Sequence, residues 1–539
     1  MTGLLHASVT RQAASRPEAT AVVFGEERLT YGQLEKRSNQ IARALLNAGC
    51  GTGDSVGFMI PKSIDAIISI IGILKAGGIY IPIDVNSPPA RSARIIDACE
   101  PAVVLTTGSD IEKLQLVLAE STVERPAGGV LDSDGMPDWL SAQSFGMSDI
   151  AQLSATPLLT ESSPEDVAYI LFTSGSTGIP KGVPISHANV FAFVEWANGY
   201  FGVDSTDRLS GHTAFHFDLS AYDLFGSLFA GAELHLVTPE ATLLPNKTAE
   251  FIRQSKLTQW FTVPSVLNYM SKFRVIAQDD FPDLRRVIWC GEVLPTPTLV
   301  DWMTKLPHAS FTNLYGPTEA TIASSYYRMP SIPKSLTETI PIGQACPGES
   351  LLILDENLKP VENGVTGDLY IGGVGLSRGY WRDDAKTRTS FIEPEHSGGL
   401  GRIYKTGDLA YVGDDGLVYF VGRSDTQIKS RGYRIELGEI ETALGTIDAL
   451  VESAVVAIPS DNFDGKLICC AFVSKEDDRT DAVDVKNQLR LLVPDYMVPA
   501  RWAQYNSLPK NASGKIDRVQ LQKQFSEGST DGLAAAARS

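Results

Sequence analysis

Cysteine is scarce in this chain, six in 539 residues, and it is not clustered. Cys50, Cys99, Cys290, Cys346, Cys469 and Cys470 show no CxxC spacing and no grouping with histidine, which argues against a zinc site and a redox dithiol and leaves reduced thiols as the expectation. Positive charge is also short. Lys and Arg number 46 against 64 Asp and Glu, a formal net charge of −18, and no basic stripe is visible, which speaks against a DNA or RNA binder. Any anionic ligand must therefore be held by local groups. Long hydrophobic runs are missing: the longest uncharged apolar stretch, Ala66 to Leu74, lies between Asp65 and Lys75, far short of the ~20 residues of a membrane helix. The N-terminal MTGLLHASVTRQAASRPEA has no basic segment leading into an apolar one, so it does not read as a signal peptide. These absences predict a soluble, cytoplasmic protein with neither nucleic acid nor membrane as partner.

What is present is an ordinary globular composition, 43% hydrophobic and 20% charged, at a length that suggests two to four units of roughly 100–200 residues. Helical periodicity in LEKRSNQIARALLNAG, with Gly49 as a stop, gives way to the strand-like SVGFMI, the helix-like SIDAIISIIGILKAGG and IYIPID. Short β-rich runs leading into turns or helices recur at CEPAVVLTT, DVAYILFTS, AELHLVT, KLTQWFTVP and RRVIWCGE. Buried parallel strands with crossover helices account for this pattern, so the fold class is α/β. No repeat of fixed period is visible. From about residue 340 short strands separated by Gly, Pro and Asp predict a small β-rich subdomain, with LLILDENLKPV, GDLYIGG and LAYVGDDGLVYFVGR as its strands. After Arg423 follow the charged DTQIKSRGYRIE, a helix LGEIETALGTI, strands AVVAIPS and LICCAFVS, and a helix DVKNQLRLLV. We therefore expect a large N-terminal core over 1–424, a small α+β C-terminal domain over 425–520 and a frayed tail over 521–539.

The most informative segment runs from Leu171 to Gly182, LFTSGSTGIPKG, after the apolar VAYI. Small hydroxyl residues and glycines behind a strand leave backbone N–H groups free to wrap phosphate oxygens, and Lys181 adds a positive charge. It is not a Walker A loop, because Gly178 and Lys181 are not adjacent and Gly182 stands where Ser or Thr is required.

Together with YGPTE at 315–319, YKTGDL at 404–409, GRSDTQIK at 422–429 and PKNASGK at 509–515, this segment resembles the adenylate-forming superfamily, and within it the amino-acid-activating adenylation enzymes of nonribosomal peptide synthesis. The resemblance runs from LTYGQLEKRSNQIARAL to GKIDR near residue 518. It implies a mobile C-terminal domain and a two-step reaction in natural-product or antibiotic biosynthesis: a carboxylate attacks the α-phosphate of ATP, releasing pyrophosphate, and a thiol then attacks the acyl carbon. In-line displacement at phosphorus needs a cradle, a divalent ion and a cation beside the attacking oxygen. The resemblance gives the cradle to Thr173, Ser174, Gly175, Ser176, Thr177, Gly178 and Lys181, and Mg²⁺ to Glu319, whose hard oxygens suit it. Asp408 is implied to hold the ribose hydroxyls with Arg423 beside it, Asn313 to contact adenine and Tyr315 to stack on it, with Gly291, Gly316, Thr318 and Phe420 completing the nucleotide site. Lys515, by composition a loop lysine, is implied to be the catalytic lysine bridging carboxylate and α-phosphate; Asp425 is the implied hinge, and Gly432 would line the thiol tunnel.

Asp218 in HFDLSAYDLF aligns with the aspartate that binds an α-ammonium, and a buried carboxylate needs such a counter-charge. The other pocket positions carried over are Leu219, Tyr222, Thr262, Ile288, Cys290, Leu314, Ile322 and Ala323. None is charged, so the substrate side chain is expected to be neutral, and Leu219 and Leu314 are implied to fill space, so it is expected to be small, as in alanine, proline, cysteine or another small aliphatic residue, with Tyr222 and Thr262 available to a small polar group. Three positions depart from the family pattern: Phe420 for a common tyrosine, Cys290-Gly291 for a Gly-Gly pair and Ser430 for an apolar residue. The stretch after Arg518 is too short for a carrier domain. The acceptor is therefore expected in trans, a phosphopantetheinylated carrier protein, unless the chain is excised from a larger synthetase. The alternatives are an acyl-CoA ligase for a non-amino acid and a catalytically silent scaffold.

Overall fold

The computed structural model describes residues 3–123, 126–159, 161–175, 180–393, 401–460, 466–475, 480–511 and 515–527. The expected Val/Ile-rich runs form two large sheets. In the six-stranded one, the order is Ala127–Val130, Val103–Thr106, Ser55–Met59, Ile79–Pro82, Val167–Thr173 and Lys181–Ser186. All pairings are parallel until the last, an antiparallel hairpin. The nine-stranded sheet has a parallel centre, Ser310–Tyr315, Arg286–Cys290, Gln259–Thr262, Arg208–Gly211, Glu233–Leu236 and Thr20–Phe24. Antiparallel strands close both its ends, so the sheets are mixed at their edges rather than wholly parallel.

Four helices, Tyr31–Asn47, Ile64–Lys75, His187–Phe201 and Leu219–Ala230, contribute to one core with residues from both sheets. The helix Ile64–Lys75 buries every residue except Asp65, as a helix apolar on all sides must. Its terminal Lys75 is buried too, its ammonium donating to Glu35 Oε2 at 2.6 Å and Asn39 Oδ1 at 2.7 Å. The preceding helix begins in a capping box, Thr30 with Gln33, and Gly49 beyond its end takes φ +91°, as the sequence led us to expect of its stop.

Residues 349–423 form the β-rich subdomain, whose antiparallel strands Glu349–Leu354, Gly367–Gly373, Ile403–Val412 and Val418–Arg423 pack against Tyr315 and Ala320 of the large core. The C-terminal part holds a two-stranded ribbon, Gln427–Ser430 with Tyr433–Glu436, and a three-stranded sheet of Leu450–Pro459, Lys466–Ser474 and Arg501–Gln504. Alternate residues of that sheet enter separate cores, Val455, Cys470 and Phe472 on one face, Val456, Cys469 and Ala471 on the other. The adjacent cysteines thus point to opposite sides, and all six cysteines are free and buried. The expected boundary at residue 425 falls between the strands Val418–Arg423 and Gln427–Ser430.

Among the elements not anticipated are the helix Ala7–Ser15, the hairpin of Thr20–Phe24 with Glu27–Thr30, and the helix Arg518–Glu527. The last lies where a frayed tail was expected; it is anchored by Leu521 and Phe525, while residues 528–539 of that tail lie outside the described residues. The helix DVKNQLRLLV starts earlier than expected, at Ala482, because the Asp481 carboxylate accepts from the Val483 and Asp484 N–H groups. No helix among the described residues is long and apolar enough to cross a membrane.

The amino ends of the central strands are tied by Asp207, which is fully buried. Its carboxylate accepts two bonds of 3.0 Å from Arg286 and one of 2.8 Å from Arg285, while Arg286 Nε donates to the Phe201 carbonyl at 2.8 Å. Removing one partner of such a buried pair strands the other charge. Asp207→Asn is therefore expected to lower unfolding stability by about 3–5 kcal/mol, read as an earlier urea midpoint of the large lobe.

Candidate active site

The parallel strands of the nine-stranded sheet deliver their carboxyl ends to one cavity, as open α/β sheets do. Cys290-Gly291 ends one strand and Tyr315-Gly316 the next, while Asp218 stands at the N-terminal end of the helix Leu219–Ala230. Gly291 has φ +101°, and a Cβ on Gly316 would lie 2.6 Å from the Ala323 Cα, so the turn at residue 316 admits no side chain. The cavity, ≈ 100 Å³, is bounded by Asp218, Cys290, Gly316, Asp408, Lys429 and Gly432 among others. Burial pushes the Asp218 carboxyl up to about 6, against the opposite pull of the Thr318 hydroxyl and the Leu219 N–H.

On one side two rings meet. Tyr315 and Phe420 pack in one cluster with centroids 6.4 Å apart and planes tilted by 38°, and the Tyr315 hydroxyl donates to Asp408 Oδ2. Arg423 Nη1 donates to Asp408 Oδ1 at 2.7 Å, and the same guanidinium holds Asp425 through Nε at 2.8 Å and Nη2 at 2.6 Å. The expected ribose residues and the expected hinge are therefore one ion-paired chain. Asn313 is buried, and its amide nitrogen donates to the Pro341 carbonyl at 2.9 Å, so that nitrogen serves the fold.

On the other side the hairpin of Val167–Thr173 and Lys181–Ser186 holds Thr173 opposite Lys181. Ser176, Thr177 and Gly178 lie outside the described residues; Gly175 and Lys181 flank them. The Lys181 ammonium stands 5.7 Å from the Tyr380 ring centroid, its pKa lowered by burial and by the cations Lys386 and Arg434. Glu319, in the short turn Thr318–Ala320, has no exposed surface. Arg434 Nη1 lies 2.9 Å from Oε1 and 2.8 Å from Oε2, and the Tyr380 hydroxyl donates to Oε1 at 2.8 Å. Burial alone would raise the Glu319 carboxyl, but the Arg434 guanidinium and these donors hold it below the ordinary carboxylate range.

Arg434 belongs to the ribbon of the C-terminal part, which closes the cavity at several points. The Ser174 hydroxyl donates to the Arg434 carbonyl at 2.7 Å, the Gly432 N–H to Glu292 Oε1 at 2.7 Å, and Arg91 and Glu439 form a buried ion pair. Gly432 has φ +81°, and a Cβ there would meet Val263 Cγ1 at 2.8 Å. Tyr433 stacks on Tyr496 at 3.7 Å and meets the Phe217 ring edge-on at 5.0 Å. Sequence reasoning missed Arg434, Glu292, Arg91 and Glu439 as partners; the signal available was that Arg434 sits two residues past Gly432.

Lys515 is not brought to this cavity: it is exposed, and its backbone N–H donates to Asn511 Oδ1 at 3.0 Å. Its segment lies on the C-terminal part, which presents the ribbon to the cavity instead. Of the expected pocket positions, Leu219 and Cys290 line the cavity, and Ile288, Leu314, Ile322 and Ala323 are packed solid in the core behind them. Tyr222 is clamped edge-on by Phe193 at 5.6 Å and Phe261 at 5.8 Å. Its hydroxyl is buried without a hydrogen-bond partner, and Tyr222 is not among the residues lining the cavity. The Thr262 hydroxyl is engaged, 3.1 Å from His212 Nδ1.

No group of three or more His, Cys, Asp or Glu converges on a point among the described residues. Mg²⁺ does not require one, because it is commonly held by one or two carboxylates with phosphate oxygens and water. Glu319 has the right donor atoms, and the Arg434 guanidinium already bears on both of them.

With this geometry in hand, comparison with known proteins is direct. The model of the AMP-binding enzyme family matches residues 9–381, and that of the AMP-binding enzyme C-terminal domain matches 439–515. Zwittermicin A synthase ZmaJ of Bacillus cereus is 33% identical over 518 residues, covering 95% of this chain and 93% of that protein. Bacitracin synthase 1 of Bacillus licheniformis is 35% identical over 517 residues, 96% of this chain but 9% of the synthase, so the chain spans about a tenth of the length of that relative. Among solved structures, the amide bond synthetase McbA of Marinactinospora thermotolerans shares the fold with a TM-score of 0.85 at 22% identity, covering 97% of this chain and 99% of that one. Adenylation domain AlmE of Vibrio cholerae does so at 0.82 and 24% identity, with 98% of each chain covered. The chain belongs to the AMP-binding enzyme family, as an adenylate-forming enzyme of the nonribosomal peptide synthetase type.

Proposed function

We propose that this enzyme joins a small neutral amino acid to AMP at the expense of ATP and then passes it to the phosphopantetheine thiol of a carrier protein supplied in trans. The observation that carries the reading is Asp218: a carboxylate buried at the cavity wall and pushed up to about 6 by desolvation, which the Thr318 hydroxyl, the Leu219 N–H and the Lys429 charge offset only in part. An α-ammonium would supply a countercharge. The apolar residues packed behind Leu219 and Cys290 leave no buried countercharge for an ionised side chain and little depth for a large one.

In this reading the adenine ring enters between Tyr315 and Phe420, the ribose hydroxyls bond to Asp408, and the phosphates meet the hairpin turn between Thr173 and Lys181. A bound Mg²⁺ would neutralise charge on the pyrophosphate that leaves, and Glu319 is the residue with the chemistry to hold it. A substrate carboxylate oxygen bonds to the α-phosphorus as the bond to the β-phosphate oxygen breaks. The bodies 1–424 and 425–520 turn about Asp425 so that Lys515 bridges the attacking oxygen and the α-phosphate. In the arrangement described above the ribbon borders the cavity instead, and a thiol sulfur entering past Gly432 attacks the acyl carbon, loses its proton and expels AMP. Similarity to PA1221, 25% identical and described as containing adenylation and PCP domains, supports a carrier as acceptor.

Exchange of labelled pyrophosphate into ATP, measured across amino, aryl and aliphatic acids, is expected to peak on one small neutral amino acid and to fall about 10²–10³-fold in Lys515→Ala; exchange confined to acids without an amine would establish the acyl-CoA ligase alternative. The Asp218 carboxyl loses its charge as pH falls through about 6. Amino acid kcat/KM in the exchange should therefore decline below that pH, and Asp218→Asn should lower it at pH 8 by ~100-fold, with the acid limb gone.

A further inference from the structure

Glu319 has no exposed surface in this arrangement, and a buried carboxylate needs a cation beside it. In the present arrangement that cation is Arg434, which lies within 2.9 Å of both Glu319 oxygens and, through its carbonyl, also engages the Ser174 hydroxyl of the phosphate hairpin at 2.7 Å. One residue of the small lobe thus fills the carboxylate suited to the metal and ties a hydroxyl of the cradle. Its hold is incomplete: Arg434 Nε is buried and without a hydrogen-bond partner, a cost that a permanent structural pair would be expected to relieve.

We propose, resting on the function above, that Arg434 is a positioning residue that stands in for the metal at Glu319. The guanidinium and the divalent cation occupy the same carboxylate in turn. Metal–nucleotide loading and the thiol-accepting arrangement then exclude each other, and breaking the Glu319–Arg434 pair is coupled to loading by a reciprocal free energy. After pyrophosphate leaves with its metal, the vacated carboxylate draws Arg434 in, and the Gly432 turn arrives with it because the two residues share one strand connection.

The test uses the full chain with Mn²⁺ and α,β-methylene-ATP, free Mn²⁺ being read by electron paramagnetic resonance, beside single-turnover transfer of isolated aminoacyl-adenylate to a thiol. Arg434→Ala is expected to bind the Mn²⁺–nucleotide about tenfold tighter than the wild type and to slow transfer, while Arg434→Lys, which keeps a cation, moves both values back toward the wild type. Arg434→Gln, close in length and neutral, gives the same readout should the alanine variant not fold. Unchanged or weaker Mn²⁺–nucleotide binding in the neutral variants overturns the proposal. Amino-acid-dependent pyrophosphate exchange by the wild type separates the two readings: its absence alongside tighter Mn²⁺ binding by Arg434→Ala would sink the proposed substrate and leave the cation replacement standing.

Discussion

A carboxylate with no access to water governs this site. Glu319 is held ionised by an arginine from a different part of the chain, 115 residues away in sequence, and by the Tyr380 hydroxyl. The large lobe alone therefore presents an incomplete site, and the small lobe supplies the missing charge. Asp218 faces the opposite situation in the same cavity. It is buried, the Thr318 hydroxyl, the Leu219 N–H and the Lys429 charge do not offset that burial, and its carboxyl rises rather than falls. Two carboxylates with contrary environments mark two tasks, one answered within the protein and one left for a ligand.

The fold exists to hold these groups in register. Parallel strands buried on both faces bring Cys290, Gly291, Tyr315 and Gly316 to one edge, and the absence of a side chain at residue 316 lets the backbone double back against Ala323. Contacts across the lobes include the polar, directional ones of Arg91 with Glu439, Gly432 with Glu292 and Arg434 with Glu319, beside the ring contact of Phe217 with Tyr433. Buried ion pairs of this kind add little net stability over apolar packing but are demanding in geometry.

Much of this was legible in the sequence, and the limits have a physical origin. The helix Ile64–Lys75 and the strands around it were readable because burial on all sides demands an unbroken apolar run. The segment from Thr173 to Lys181 and the residues Asp218, Glu319, Asp408 and Arg423 stood out because local motifs carry them. The pairing of Arg434 with Glu319, or of Arg91 with Glu439, was not, since no local pattern says which side chains meet across 115 and 348 residues of chain. The setting of Tyr222 was not legible either: its ring is held edge-on by Phe193 and Phe261, neighbours that no local pattern announces. The hairpin of Thr20–Phe24 and Glu27–Thr30 went unnoticed because its strands are short and one of them is half exposed. Lys515 was assigned by motif to a site that the small lobe, in this arrangement, faces with another surface.

The central claim is that the cavity beside Asp218 makes an aminoacyl-adenylate. Incubating the enzyme with ATP, Mg²⁺ and an equimolar mixture of amino, aryl and aliphatic acids, removing free solutes by gel filtration and identifying the retained adenylate by mass spectrometry tests it most directly. The account predicts a single small neutral amino acid joined through its carboxyl group to AMP. Retention of an adenylate whose acyl group carries no amine, or of none at all, would contradict it.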